Sequence, residues 1–292
     1  MKHHYFFSNF MTVLVATVCL VPALGAQTQK LVSSVPTPHT TDGKPDLSGM
    51  WNGRVGNGGG GIFEGELTAL TPFPSRRCAP NQKGCGDQTN QTVDGEFTGR
   101  FEANRPIYKP EFWDKVQDLD RNTNSKDPIF QCQPYGIPRV GPPTKIVQTA
   151  NEVLLLYAAG GAGTQPADYR IIPTDGRKHD PVRALDVTYY GDSVGQWEGD
   201  TLVVDSVGFN DITWLEKGGY FHSDLMHVIE KFRREGNNLT YQVTVEDPEV
   251  LLQPWAMSPK VLKLNTDPEA YIHEGDPCRD YDQSNMSSRV RH

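Results

Sequence analysis

The residues best suited to chemistry lie in one short stretch: His222, Ser223, Asp224, His227 and Glu230. His222, His227 and Glu230 could ligate Zn²⁺ or Fe²⁺, and they equally form an acid–base set for proton transfer. On a strand, His227 and Glu230 have opposite parity and face opposite sides of the sheet. Glu230 then shares a face with Val228 and Phe232, where a carboxylate must be paired or have a raised pKa. Arg139, Arg170, Arg177 and Arg233 are its candidate partners. Two readings stay open: a buried Glu–Arg pair that fixes the fold with the histidines on a loop, or a catalytic or metal-binding set.

Three other motifs compete for the role of site. Gly56-Asn57-Gly58-Gly59-Gly60-Gly61 satisfies GxGxxG, but Ile62-Phe63-Glu64-Gly65-Glu66 follows it where a dinucleotide site needs a helix, so it reads as a glycine loop. Gly191-Asp192-Ser193-Val194, Gly208-Phe209-Asn210-Asp211 and Asp224-Leu225-Met226-His227 resemble the blocks of the SGNH esterases. That resemblance implies Ser193 as nucleophile, His227 as base, Asp224 as its orienting acid, and Gly208 and Asn210 as oxyanion donors. Those enzymes are α/β folds whose crossovers each take about 30 residues or more, whereas here hairpins separate the three blocks. Gly49-Met50-Trp51 resembles the GxW that opens the first strand of calycin barrels, where the Trp closes one barrel end.

Around these motifs the chain punctuates like an antiparallel β protein. Ile146–Gln148, Glu152–Tyr157, Tyr169–Ile172, Val187–Tyr190, Val194–Trp197, Thr201–Asp205, His227–Arg233 and Leu239–Val245 are β-branched or aromatic runs between turn signals. Leu239, Tyr241, Val243 and Val245 fall on one face and Thr240, Gln242, Thr244 and Glu246 on the other, the pattern of a sheet with one buried side. Pro110–Asp120 reads as one short helix with Phe112, Trp113, Val116 and Leu119 on a face. Eight to ten strands at hairpin spacing predict an all-β antiparallel barrel or sandwich, removal of the sheet edges favours the barrel, and the GxW resemblance implies a calycin- or lipocalin-like one. Residues 46–292 read as a single domain whose part from 46 to 140 is rich in loops.

The chain has 292 residues and a formal net charge of −8, without a basic block that could track phosphates, so nucleic acid is excluded as a partner. Lys2, His3 and His4 precede an apolar run from Met11 to Val21 that ends at Pro22 and Ala23-Leu24-Gly25-Ala26. This reads as a secretory signal over residues 1–26, cleaved near Gly25 or Ala26, followed by an extended leader over 27–45. A periplasmic or secreted protein with no transmembrane segment after signal removal is expected. In that compartment Cys78, Cys85, Cys132 and Cys278 read as two disulfides, and no CxxC spacing supports a zinc site instead.

Longer stretches are similar to a secreted bacterial family common in acidobacteria and proteobacteria. The resemblance rests on Pro45-Asp46-Leu47-Ser48-Gly49-Met50-Trp51, on Cys132-Gln133-Pro134-Tyr135-Gly136-Ile137-Pro138-Arg139, and above all on the run from Gly191-Asp192-Ser193-Val194-Gly195-Gln196-Trp197 through Glu198-Gly199-Asp200-Thr201-Leu202-Val203-Val204-Asp205. It spans roughly residues 45–280 and implies export and a β-rich fold, but no reaction. It marks Arg139, Trp197, Glu198, Asp205, Asn210, His222, His227 and Glu230. The chain departs from the family at Lys231, where members often carry Arg.

Together these readings predict an exported small-molecule protein whose barrel cavity takes an apolar or ring-containing guest. His222, His227, Glu230, Arg139, Asp205 and Asn210 are the expected catalytic set of a lyase, isomerase or hydrolase. Trp197, Trp214, Arg177 and Tyr169 are the expected ligand contacts, and no cofactor is expected. A non-catalytic binding or scavenging module and the esterase built on Ser193, Asp224 and His227 are the alternatives.

Overall fold

The computed structural model describes residues 35–52, 104–122, 126–158, 168–216 and 218–272. The expected signal at 1–26, the leader up to residue 34, the glycine run at 56–61, and Cys78, Cys85 and Cys278 lie outside the described residues. The described residues all fall within one unit, Ser33–His292.

The described strands are β1 (Gly49–Asn52), β2 (Lys145–Gln148), β3 (Glu152–Tyr157), β4 (Asp168–Pro173), β5 (Asp192–Glu198), β6 (Thr201–Val207), β7 (Trp214–Glu216), β8 (Tyr220–Phe221), β9 (His227–Glu235), β10 (Asn238–Glu246), β11 (Trp255–Ala256) and β12 (Lys260–Asn265). Nine of them form a nearly closed antiparallel sheet in the order β4-β3-β2-β1-β12-β10-β9-β6-β5, with β11 paired to β10. The all-β barrel expected from the hairpin spacing is the fold. Val187–Tyr190 is a correction: there only Thr188 makes an isolated bridge, to Phe209, because the short 3₁₀ turn Arg183–Leu185 and Gly191 at φ +68° break the extended backbone on either side. The expected helix is present as a 3₁₀ turn, Pro110–Phe112, running into α1 (Trp113–Arg121). Phe112, Val116 and Leu119 pack against the core, whereas Trp113 is exposed. No described helix is long and apolar enough to cross a membrane.

Two tight hairpins fix the register. Glu198 pairs with Thr201 across Gly199-Asp200, and Glu235 pairs with Asn238 across Gly236-Asn237. Each loop opens with a glycine at φ +60°, the left-handed conformation a two-residue hairpin needs at that position. Counting back from these turns brings Ser193 opposite Ser206 and His227 opposite Glu246. Trp51 on β1 is buried in the core, and its indole Nε1 donates to the Leu47 carbonyl at 2.9 Å. The Arg234 guanidinium lies 5.2 Å from the ring centroid of Trp51 and donates to the Asp46 carbonyl.

The end strands β4 and β5 lie side by side without a backbone ladder, and side chains join them. Arg170 on β4 donates from Nη2 to Ser193 Oγ on β5 at 3.0 Å and to Ser206 Oγ on β6 at 3.2 Å. Its Nη1 lies 2.7 Å from Glu230 Oε2 on β9 and donates to the Tyr157 hydroxyl at 3.2 Å. Tyr241 donates to Glu230 Oε1 at 2.9 Å. Glu230 is 0 % exposed, and the ion pair supplies the compensation that burial of a charge demands. Burial pushes the Tyr157 hydroxyl up to about 12 and that of Tyr241 well above 10, so both stay protonated and available to the network. Gly195 allows the close approach of the two end strands, since a Cβ there would meet Thr174 Cγ2 at 2.9 Å and Ile172 Cγ2 at 3.0 Å.

Removing one partner would strand the other charge in the barrel. Glu230→Leu or Arg170→Met alone is expected to cost about 3–5 kcal/mol in urea unfolding, while the double variant Arg170→Met/Glu230→Leu costs less than the sum of the two singles. Single variants losing under about 1 kcal/mol, as exposed pairs do, would show that the pair does not hold the wall together.

Candidate functional site

The alternation that turns Val228, Glu230 and Ser206 inward turns His227 and Asp205 outward. On that outer face the side chains form a continuous row across four strands. His227 Nδ1 lies 3.1 Å from Glu246 Oε2 on β10, and His227 Nε2 lies 2.9 Å from Asp205 Oδ2 on β6. The other oxygen of Asp205 lies 2.8 Å from His179 Nε2. His179, carried by the connection from β4 to β5, meets Asp192 Oδ2 on β5 through Nδ1 at 2.8 Å. The row therefore reads Asp192, His179, Asp205, His227, Glu246. Both histidines remain partly open to solvent, with side chains 25 % and 29 % exposed for His179 and His227.

A neutral imidazole has one donor, so the carboxylates on the two ring nitrogens of His227 select its imidazolium form. For His227, partial burial works against the charge, but the hydrogen bonds to Asp205 and Glu246 outweigh it and raise its pKa above the ordinary imidazole value. Asp205 is pushed up by burial and pulled down further by His227 and His179, leaving it below the usual carboxylate range. His227 is thus a protonated acid at a half-open surface, with two bases against it.

The other expected site residues stand elsewhere. Glu230 is committed to Arg170 inside the barrel. His222 is 2 % exposed, its Nδ1 donating to the Ser223 carbonyl at 2.9 Å and its Nε2 accepting from Thr213 at 2.8 Å. Burial pulls the His222 pKa down, so it is a neutral packing histidine. Arg139 is held by both Asp127 oxygens, at 2.7 and 2.6 Å, beside the rings of Tyr135 and Trp214. Asn210 accepts from the Ile212 amide in a turn. The structure therefore brings together Asp205 and His227 of the expected catalytic set, and separates them from Glu230, His222, Arg139 and Asn210. Nor do the esterase residues meet. Ser193 faces Arg170 and Ser206 on the inner side, His227 faces outward between two other carboxylates, and Asp224 is exposed.

The expected ligand contacts do not enclose a guest. Trp214 is buried beneath Arg139, Trp197 is half-buried at the barrel wall, Tyr169 is 62 % exposed and Arg177 is paired with Asp175 in an exposed turn. Inside the barrel lie Phe232, Tyr241 and the Arg170–Glu230 pair. Sequence reading missed His179 and Asp192. Asp192 was legible in principle, since the Gly199-Asp200 turn sets it on the same outer face as Asp205. His179 lies in a connection with no periodicity to place it. Among the described residues no group of three or more His, Cys, Asp or Glu side chains has the arrangement to hold a metal ion.

Comparison with protein-family models, with curated proteins and with solved structures finds no match.

The row has a pH window. His227 has a raised pKa, so its contribution is complete below the unfolded imidazole value of about 6.5 and is lost as pH rises through the folded value. Asp205 has a lowered pKa, so its contribution is complete above the unfolded carboxylate value of about 3.9 and is lost as pH falls through the folded one. The gap in urea midpoint between the natural chain and His227→Gln is therefore expected to be widest near pH 5–6 and to shrink toward pH 9. A gap that widens with rising pH would contradict the pairing.

Proposed function

We propose that this protein is an exported small-molecule protein that moves a proton through His227, acting as a lyase, isomerase or hydrolase without a cofactor. The observation that carries the reading is the His227 imidazole, half-open to solvent between Asp205 and Glu246. A general acid must carry its proton at the working pH and reach solvent or substrate; the two carboxylates maintain the charge, and the exposed ring edge gives the access. Asp205 and Glu246 act as positioning residues, orienting the ring and holding its proton until a guest displaces one hydrogen bond and takes the proton from the freed nitrogen. His179 supplies a second imidazole on the same carboxylate and ties it to Asp192, which fixes the position of Asp205 against His227. The substrate in this reading is small and apolar or ring-containing.

One observation favours a second reading, a binding module that orients a ligand without turning it over: both ring nitrogens of His227 are already engaged. Export to the periplasm or medium, with pairing among Cys78, Cys85, Cys132 and Cys278, accompanies either reading, and titration of free thiols before and after reduction tests the pairing.

Compounds identified by mass spectrometry on the purified protein would be assayed for turnover with the natural chain and with His227→Gln. The expected outcome is a fall in kcat of about 10²–10⁴-fold with KM changed little, as loss of a general acid requires. Undiminished turnover in His227→Gln would overturn the proposal, and tight retention of a compound without turnover would favour the binding module.

A further inference from the structure

The outer face that carries His227 continues along β9 and β10 into a cleft of about 450 Å³. Ile229 and Lys231 of β9 and Gln242 and Thr244 of β10 line it from the barrel wall. Asn104 and the segment from Ala256 to Pro259 form its rim, tied together by the Asn104 side-chain amide donating to the Ala256 carbonyl at 2.6 Å. Register connects the cleft to the His/carboxylate row. His227 pairs with Glu246, the next outward pair is Ile229 with Thr244, and the next is Lys231 with Gln242. Asp205 lies directly opposite Ile229 on the other side of β9.

Its lining has one charged member. Lys231 is exposed and has no ion-pair partner among the described residues, while Ile229 and Met257 supply apolar surface. Arg233, two residues further along the same face, is paired with Glu235 and so does not compete with Lys231 for an anion. The carboxylates nearest the other end, Asp205 and Glu246, are engaged with His227. An anion entering the cleft therefore meets its attraction at Lys231.

We infer that this cleft is the binding site for a small organic anion, an apolar or aromatic body carrying one carboxylate. Its carboxylate pairs with Lys231, its body lies on Ile229 and Met257, and its far end reaches His227. The inference rests on the reading of His227 as the working acid and names the substrate class of that site. Four residues of strand separate Lys231 from His227, roughly 13 Å at the usual rise. The reacting group must therefore stand about that far from the anionic one, which suits a substituted arylcarboxylate and excludes the smallest acids as substrates.

Benzoate and its uncharged amide, benzamide, are the probes, and the methyl NMR signals of Ile229 and Met257 in the full chain are the readout. Benzoate is expected to shift both signals saturably, and benzamide at least tenfold more weakly. Lys231→Met should weaken benzoate at least tenfold, with Lys231→Arg restoring most of the affinity; Lys231 is exposed, so neither change disturbs the core. Absence of shifts at millimolar benzoate, or equal binding of benzamide, would overturn the inference. The two proposals fail separately. Benzoate bound in the cleft while His227→Gln keeps full turnover leaves the cleft standing and removes His227 as the acid.

Discussion

The fold depends on a charge pair placed where the sheet fails to close by itself. Strands β4 and β5 end the nine-strand sheet without a ladder between them, and edges left without backbone pairing need another means of being held together. Arg170 spans the gap, reaching Ser193, Ser206 and Glu230 on three successive strands of the far side. Such a pair gains little net free energy over well-packed apolar groups, because desolvation cancels much of the attraction. Its effect is on geometry: the observed arrangement of β4 against β5, β6 and β9 pairs both charges and engages the two tyrosine hydroxyls.

That commitment inside the barrel determines what is left for the outside. With Glu230, Arg170, Phe232 and Tyr241 filling the interior, the polar side chains free to meet a small molecule are those of the opposite parity. On β5, β6, β9 and β10 these are Asp192, Asp205, His227 and Glu246, brought into one row because the same two hairpins fix all four strands. The two histidines near residue 225 illustrate how environment divides one residue type. His222, enclosed by Thr213, the Ser223 carbonyl and the Phe209 ring, is held neutral, and His227, five residues on, is held charged by two carboxylates.

Much of this was legible in the residues. The alternation in 239–246 and the opposite parity of His227 and Glu230 both follow from the two-residue period of a strand, and Arg170 stood among four possible partners for Glu230. The Gly236 hairpin even implies the His227–Glu246 pairing by counting outward from the turn. What a linear reading could not supply was the content of the barrel. Whether the interior holds a guest or side chains depends on volumes summed over nine strands, and no local pattern reports that sum. The aromatic residues read as ligand contacts were drawn apart for the same reason: Trp214 fills a packing position, whereas Tyr169 ends on the outside of an end strand. His179 escaped because a loop histidine finds its partners only through tertiary contacts.

The central claim is a division of labour between an inner pair that closes the barrel and an outer histidine that carries a proton. Imidazole ¹⁵N spectroscopy at pH 7 tests it most directly, because the ring-nitrogen shifts distinguish the imidazolium from each neutral tautomer. The account predicts both nitrogens of His227 protonated and His222 as the single neutral Nδ1–H tautomer. A neutral His227 beside a charged His222 would contradict it.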